Sequence, residues 1–387
     1  MNIKEKNCGL KKFTLFVIVL GLFAILTYLF YMQSLKLNNG YRSDLPAHIV
    51  FAQTGRGYSA LYQFMGLVYN FGKGTWAIAV LESLIVVLTI LLSGRLLKML
   101  APSLNYVEAT LISLPISFLT GMYIPGIYEH YYTQQLVTQP YHNITYYGMR
   151  LFAVCVFIAF FEVFEGYLEK IKWKYWVGTA IFLLLSTSVK PNFLLGFSFT
   201  LLLFLIVDFL KYRFEKKPFI QMILMGGVVF PSLFMLLWQA NMLYGTSTAG
   251  SSSGIGLIWG ATFVRYGFVS TLLKLICSLS FPLIVFLVNR KKLNRNSKFI
   301  YLMFLVQLLV CILFTEVGER EAAYNFYWGL YGAGFFLFID AVAVFLKNWK
   351  EKLPKWYKIV GIVLLLAHLI SSILYFVYIV LGGNYEV

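Results

Sequence analysis

The stretch 13–32, FTLFVIVLGLFAILTYLFYM, contains no charged residue and follows a basic N-terminal segment. A helix of ~20 apolar residues spans the hydrocarbon core of a bilayer. The run is too long for the apolar core of a signal peptide, and no small-x-small cleavage site follows it. We therefore predict an uncleaved first membrane helix.

The rest of the chain repeats this composition. Hydrophobic residues make up 60% of the 387 positions and charged residues only 12%, about half the charged share of a soluble domain. This composition predicts an all-α, polytopic transmembrane bundle that forms a single integral membrane domain over 1–387. The Lys-, Ile- and Phe-rich usage indicates a multi-pass protein of a bacterial cytoplasmic membrane. The apolar runs predict about eleven spans, at 13–32, 76–97, 103–125, 148–167, 173–190, 192–212, 218–243, 266–289, 299–315, 324–346 and 358–382.

The net charge of +16 lies in short clusters between the apolar runs. No extended basic face results, so we predict the lipid bilayer as a partner and no nucleic acid. If the N-terminus is inside, every inner loop is basic, which also places the C-terminus outside. The sequence has no Walker or Rossmann glycine motif, which argues against an ATPase and a cytosolic nucleotide-sugar enzyme.

The first predicted outer loop, 33–75, contains two amphipathic segments. DLPAHIVFAQTG (44–55) starts with an Asp suited to a helix N-cap and a Pro suited to the first turn. YSALYQFMGLVYNFG (58–72) carries the Tyr and Phe residues typical of a membrane interface. We predict two short surface helices. Two interpretations of Asp44 and His48 stay open: Asp44 caps its helix while His48 faces water, or both belong to a reactive site.

The other predicted outer segments collect carboxylates, histidines, amides and cations. Carboxylates with histidines can bind a divalent cation or act as a general base, and Lys and Arg can hold phosphate. Together they suit an anionic, membrane-anchored substrate, although any one of them alone is an ordinary solvated residue. Glu82, inside the second apolar run, is either a neutral structural group or part of the site. His368 lies among leucines, as packing residues do.

The first helix, the long outer loop with its early Asp44, and the two segments 44–55 and 58–72 resemble the GT-C glycosyltransferase fold. That family uses polyprenyl-phosphate sugars and acts on the outer or lumenal face. The resemblance implies that Asp44 is the base or metal-site residue and that Glu129 is the second acid. The chain departs from the best-known branches because it has neither a paired acid beside Asp44 nor a soluble C-terminal domain.

We therefore expect a membrane glycosyltransferase that moves a sugar from a polyprenyl-phosphate donor to a cell-envelope glycan or lipid acceptor. The expected catalytic residues are Asp44, His48 and Glu129. A divalent cation, Mg²⁺ or Mn²⁺, would use Asp44, Glu129 and His130. The expected substrate-binding residues are His142, Asn143, Arg150, Lys190, Arg265, Glu319 and Arg320. Two alternatives stay open: a transporter or flippase for a lipid-linked saccharide or small solute, and a non-catalytic envelope-assembly protein.

Overall fold

A computed structural model describes residues 3–35, 43–55, 57–124, 139–212, 215–244, 254–260, 267–318, 325–349, 351 and 353–383, with side chains from Gly9 onward. Its helices are α1 (Ile3–Ser34), α2 (Leu45–Thr54), α3 (Ala60–Gly72), α4 (Thr75–Leu100), α5 (Tyr106–Ser117), α6 (Ile144–Phe164), α7 (Trp173–Val189), α8 (Asn192–Lys211), α9 (Lys216–Gly227), α10 (Phe230–Tyr244), α11 (Phe268–Ser278), α12 (Ser280–Asn289), α13 (Arg295–Leu313), α14 (Asn325–Lys347) and α15 (Lys355–Val380). Two short strands, β1 (Gly254–Leu257) and β2 (Phe314–Val317), complete the described fold.

The described helices confirm a multi-pass, all-α membrane protein. Eight helical segments are long and apolar enough to cross a bilayer, with α9 and α10 counted as one, and a ninth results if α11 and α12, bent by 67°, form one span. Each of the eleven predicted apolar runs contains helix, but α5 has only 12 residues and α7 only 17. At 1.5 Å per residue these helices rise ~18 Å and ~26 Å, against a hydrocarbon core of ~30 Å. The count of about eleven spans and the placement of the termini therefore stay predictions.

The two ends of the bundle differ in their polar contacts. We call one end the Asp44 end; it contains α2, α3, the start of α6 and the turn between α7 and α8. At the opposite end, basic side chains pair with acidic ones. Lys11 bonds Glu108 at 2.9 Å, and Arg295 pairs with Asp208. The pattern supports the predicted clustering of basic residues at one membrane face.

The loop between α1 and α4 forms the two predicted short helices. Ser59 caps α3 by accepting from the backbone N–H of Leu61 at 3.3 Å. Leu61 and Met65 of α3 pack inward, whereas Phe64, Leu67 and Phe71 stay exposed. An apolar face left outside the bundle is typical of a helix that lies in a membrane interface.

The core of the bundle is aromatic and centres on α14. This helix is buried along almost its whole length, because small residues such as Gly329 and Gly332 let neighbouring helices approach it. Phe157 on α6 stacks edge-on against Phe336 on α14 at 4.5 Å, and Phe160 lies 4.7 Å from Phe299 on α13. These ring contacts fix α6, α13 and α14 against one another.

The predicted helix at 103–125 ends early, which corrects its length. An Asn105–Glu108 capping box starts α5, and Pro115 lies in its last turn. The chain then runs without regular structure from 119 to 124. Non-helical backbone is tolerated at membrane depth only where protein or a polar cavity satisfies its N–H and C=O groups.

Side chains of α15 supply those partners. Ser372 Oγ accepts from the backbone N–H of Thr120 at 2.9 Å, and Ser371 Oγ accepts from that of Tyr123 at 3.0 Å. His368 Nδ1 donates to the carbonyl of Thr120 at 2.8 Å, so its Nε2 accepts from the Ser280 hydroxyl at 3.1 Å. His368 is thus a satisfied packing residue, as its sequence context predicts.

The two strands are an addition that the sequence does not predict. Gly254–Leu257 pairs antiparallel with Phe314–Val317, with Gly254 opposite Val317. The glycine-rich stretch 248–260 reads as a linker, but its last part gains a partner far along the chain. Such pairing depends on where α13 ends, which local composition does not encode.

We predict that His368→Leu destabilises the protein by roughly 1–3 kcal/mol, because it leaves the Thr120 carbonyl and the Ser280 hydroxyl without a partner inside the bundle. Unfolding in a fixed detergent measures the loss. Ile370→Leu is the control, since Ile370 lies on the same helix with 58% of its surface exposed. Equal stability of the two variants would contradict this account of the broken helix.

Candidate functional site at the Asp44 end

Asp44 occupies the N-cap position of α2, but its side chain makes no capping hydrogen bond. The neighbouring Ser43 takes that role, because its hydroxyl accepts from the backbone N–H of Leu45 at 3.1 Å. The Asp44 carboxylate instead accepts from the Asn143 side-chain amide at 3.1 Å. The capping interpretation therefore does not account for the Asp44 carboxylate.

The start of α6 holds Asp44 through both backbone and side chain. The Asp44 N–H donates to the carbonyl of His142 at 3.2 Å. Asn143 caps α6 by accepting from the N–H of Tyr146 at 3.0 Å and from the hydroxyl of Thr145 at 2.7 Å. Because its oxygen is used in this way, the Asn143 amide has its N–H groups left to orient the Asp44 carboxylate.

Lys190 reaches the same region from the end of α7. Its side chain is only 3% exposed, and its ammonium group lies 4.6 Å from the centre of the Trp328 ring and 3.5 Å from the Thr145 hydroxyl. A cation at this distance from an indole is stabilised by the ring electrons.

Two side chains fix the position of the α7 end. The Ser59 hydroxyl donates to the carbonyl of Val189 at 2.7 Å, and the Gln239 amide donates to that of Thr187 at 2.9 Å. The end of α7, which Lys190 directly follows, is therefore held by α3 and α10.

Two buried histidines, His48 and His142, lie near the Asp44 carboxylate and Lys190. Burial lowers the pKa of His48 to about 4; the Asp44 carboxylate opposes this shift, while Lys190 and His142 reinforce it. Burial likewise lowers the pKa of His142 to about 4, with Asp44 opposing and Lys190 reinforcing. Both imidazoles are neutral at pH 7, where each can donate one hydrogen bond and accept another. A group that donates one hydrogen bond and accepts another suits a sugar hydroxyl, which does the same.

A cavity of about 320 Å³ lies on the other side of the turn that carries Lys190. Pro191 and Asn192 line it directly, and most of its other lining is apolar. Phe199 and Leu237 on its wall are largely exposed on the outer surface of the bundle. The cavity therefore has the character of a slot for an apolar chain that enters from the lipid.

The polar end of this cavity is a hydrogen-bonded group on α8, α10, β2 and α14. Glu316 accepts from the Tyr244 hydroxyl at 2.9 Å and from the Asn325 amide at 2.6 Å. The Asn192 amide donates to the backbone carbonyl of Asn325. Asn325 also begins α14, which carries Trp328 one turn later. The cavity and the surroundings of Lys190 therefore share α14 and the turn between α7 and α8.

The predicted site residues thus divide into three groups. Asp44, His48, His142, Asn143 and Lys190 lie together. Arg150 is fully buried deeper in α6, where it bonds Gln139 and donates to the Ser117 carbonyl at the end of α5 at 3.4 Å. That position favours a capping role, and its assignment to the substrate stays a prediction. The remaining assignments, to Glu129, His130, Arg265, Glu319 and Arg320, lie outside the described residues.

Sequence reasoning assigns no role to several residues of this region. Trp328, Tyr244 and Gln239 are in apolar helices, where aromatic and amide side chains are ordinary. Glu316 and Asn325 are polar residues of a predicted outer segment, but their spacing does not indicate that they bond each other. Their position at the ends of helices or strands, on the predicted outer side, is the feature that could have indicated a role.

Within the part of the chain that the structure describes, no three His, Cys, Asp or Glu side chains are arranged to hold a metal ion. Asp44 alone belongs to both the predicted metal set and the described residues. The divalent-cation site with Glu129 and His130 therefore stays a prediction.

The two histidines predict acid sensitivity. Their pKa is about 4 in the folded protein and 6.5 ordinarily, so the unfolded chain takes up protons first as the pH falls. The stabilisation is complete above pH 6.5 and is lost on the way down to about pH 4. We expect about 2 kcal/mol per histidine between pH 7 and pH 5. Unfolding measured at both pH values, for wild type and for His48→Gln with His142→Gln, tests this. An unchanged pH dependence in the double variant would contradict it.

No family model matches the chain, and neither the curated proteins nor the solved structures contain a significant match. The GT-C resemblance is therefore untested by comparison, and a function has to be inferred from the geometry of the Asp44 end.

Proposed function

We propose that the protein is a membrane glycosyltransferase of GT-C type that transfers a sugar from a polyprenyl-phosphate donor to a cell-envelope acceptor. One observation supports this most: the Asp44 carboxylate does not cap its own helix but accepts from Asn143, in a cluster where it and Lys190 also interact electrostatically with His142. A carboxylate can act as the general base toward an acceptor hydroxyl, and a cation can stabilise the charge of a leaving phosphate.

In the proposed reaction Asp44 accepts the proton of an acceptor hydroxyl. The acceptor oxygen forms a bond to the anomeric carbon, and the bond from that carbon to the phosphate oxygen breaks. The leaving phosphate keeps the electron pair, and the Lys190 ammonium stabilises its negative charge. Asn143 keeps the carboxylate oriented, and the neutral imidazoles of His48 and His142 hydrogen-bond sugar hydroxyls.

The cavity beside Lys190 supplies a place for the lipid part of a substrate. Its apolar lining and its exposed wall at Phe199 and Leu237 suit an isoprenoid chain that slides in from the bilayer. Pro191 and Asn192 line the cavity and Lys190 directly precedes them, so the proposal places the chain of an amphiphile in the cavity and its phosphate beside Lys190.

Asp44→Asn should lower the transfer rate by ~10²–10⁴-fold, because an amide cannot accept the proton. The fold should persist, since the new side-chain oxygen still accepts from Asn143. The measurement is release of polyprenyl phosphate from polyprenyl-phosphate hexoses in proteoliposomes supplied with envelope glycan. Thr54→Ala is the control: Thr54 is exposed at the other end of α2 and bonds only its own helix in the described structure. Wild-type rates for Asp44→Asn would remove Asp44 from the chemistry.

Lys190→Gln should weaken binding of a polyprenyl phosphate by roughly tenfold or more, because it removes a charge-assisted hydrogen bond to phosphate. Titration of the purified protein with polyprenyl phosphate in mixed micelles measures the Kd. Lys73→Gln is the matched control, since Lys73 is an exposed cation at the same end, between α3 and α4. Equal affinities of the two variants would place the phosphate elsewhere.

Transport of a lipid-linked saccharide is the second candidate function. The break after Ser117 favours it, since broken helices with buried extended backbone line the binding sites of many transporters. A fluorescent polyprenyl-linked saccharide in acceptor-free proteoliposomes separates the two candidates. Rapid translocation that Asp44→Asn leaves unchanged would support transport over transfer.

A further inference from the structure

Glu82 is a fully buried acid inside a helix that is long and apolar enough to span a membrane. It lies seven residues beyond the start of α4, about 10 Å along the helix. Its side chain has no exposed surface, and neither carboxyl oxygen has a hydrogen-bond partner among the described residues. No step of the proposed transfer uses it. An ionisable group at such a position indicates function or hydration, because hydrocarbon does not solvate it.

Three further buried polar side chains, Tyr147, Tyr141 and Gln139, lie in the first part of α6 or just before it, and α6 packs on α4. Tyr147 on α6 interacts electrostatically with Glu82 and with Tyr141, which precedes α6. The hydroxyls of Tyr147 and Tyr141 and the Nε2 of Gln139 have no hydrogen-bond partner in the described structure. Together with Glu82 they bring five unpaired polar atoms into one part of the bundle. Buried polar atoms in folded proteins are almost always paired with protein or with ordered water.

The chemistry of the cluster selects its ligand. A cation would be drawn to Glu82 but would meet Arg150, which interacts with both tyrosines. An anion offers only hydrogen-bond acceptors, so it would leave the carbonyl oxygen of the Glu82 acid without a donor. A neutral guest that both donates and accepts hydrogen bonds satisfies every atom, since phenols do both and the Gln139 amide donates. The four side chains are at most 1% exposed, so bulk water does not reach them directly.

We propose that Glu82, Tyr147, Tyr141 and Gln139 bind a cluster of internal water molecules, in which Glu82 holds an exchangeable proton. The waters give the five polar atoms their partners. The helices α1, α3, α5, α6 and α14 pack on α4. Among them, α6 contributes Tyr147, the titratable group that interacts with Glu82. The site is independent of the proposed transferase and is compatible with either candidate function.

Infrared spectroscopy of the full-length protein in lipid nanodiscs tests the proposal. We expect wild type to show the carbonyl stretch of a protonated carboxylic acid that Glu82→Gln lacks. The band should shift promptly on transfer to D₂O, because the waters connect the proton to solvent. Tyr147→Phe should move the same band, since it removes one neighbour of the carboxyl while keeping the ring.

Asp340 provides the matched control. It is also fully buried, but its Oδ1 accepts from the Ser297 hydroxyl at 2.8 Å at the opposite end of the bundle. Any band that Asp340→Asn removes should be insensitive to Tyr147→Phe.

Three results would overturn the proposal. No Glu82 band means that the acid is ionised, and a band that resists D₂O for hours means that the site is dry. If water is bound, a leucine at position 82 would expel it and leave Tyr147 and Tyr141 unpaired, so Glu82→Leu should melt below wild type. A higher melting temperature for Glu82→Leu would therefore also show that the site is dry. None of these readouts depends on transferase activity.

Discussion

The contact between the start of α2 and the start of α6 fixes the Asp44 end of the bundle. It includes a backbone bond, from the Asp44 N–H to the His142 carbonyl, and side-chain bonds from Asn143 to the Asp44 carboxylate and from the Ser43 hydroxyl to the His142 carbonyl. Ser43 makes this possible, because it caps α2 and leaves the acid to face its neighbour. Lys190 joins the same unit through Thr145. The position of each charged group thus depends on hydrogen bonds between segments distant in the chain.

The helices were predictable because an apolar run long enough to span a bilayer has few alternatives to helix. What failed were features decided by partners. The run 103–125 has no charged residue after Glu108, yet α5 ends at Ser117 because His368, Ser371 and Ser372 offer an extended backbone its hydrogen bonds. The same reason applies to β1, whose pairing with β2 depends on where a distant helix ends. Apolar periodicity carries no information about either partner.

The site was predictable to the extent that polar residues at the ends of apolar runs share a membrane face. That reasoning brings Asp44, His142, Asn143 and Lys190 to one level, where the structure has them together. It could not distinguish the two roles of an N-cap aspartate, because the sequence SDLP fits both. It also grouped Arg150 with these residues, although Arg150 is seven positions into α6 from Asn143, ~10 Å deeper. There it bonds the end of α5.

The spacing of these residues on α6 connects the two polar regions. Asn143, Tyr147 and Arg150 are separated by four and then three positions, so they form one stripe on the helix. The stripe begins at the Asp44 carboxylate, passes the Glu82 cluster and ends at the break after α5, while Phe157 and Phe160 further along α6 belong to the aromatic core. Because α6 carries polar groups from its first residues into the bundle, each of these groups needs a hydrogen-bond partner at its own depth. The partners at the three levels are the Asp44 carboxylate, the proposed internal water and the Ser117 carbonyl at the end of α5.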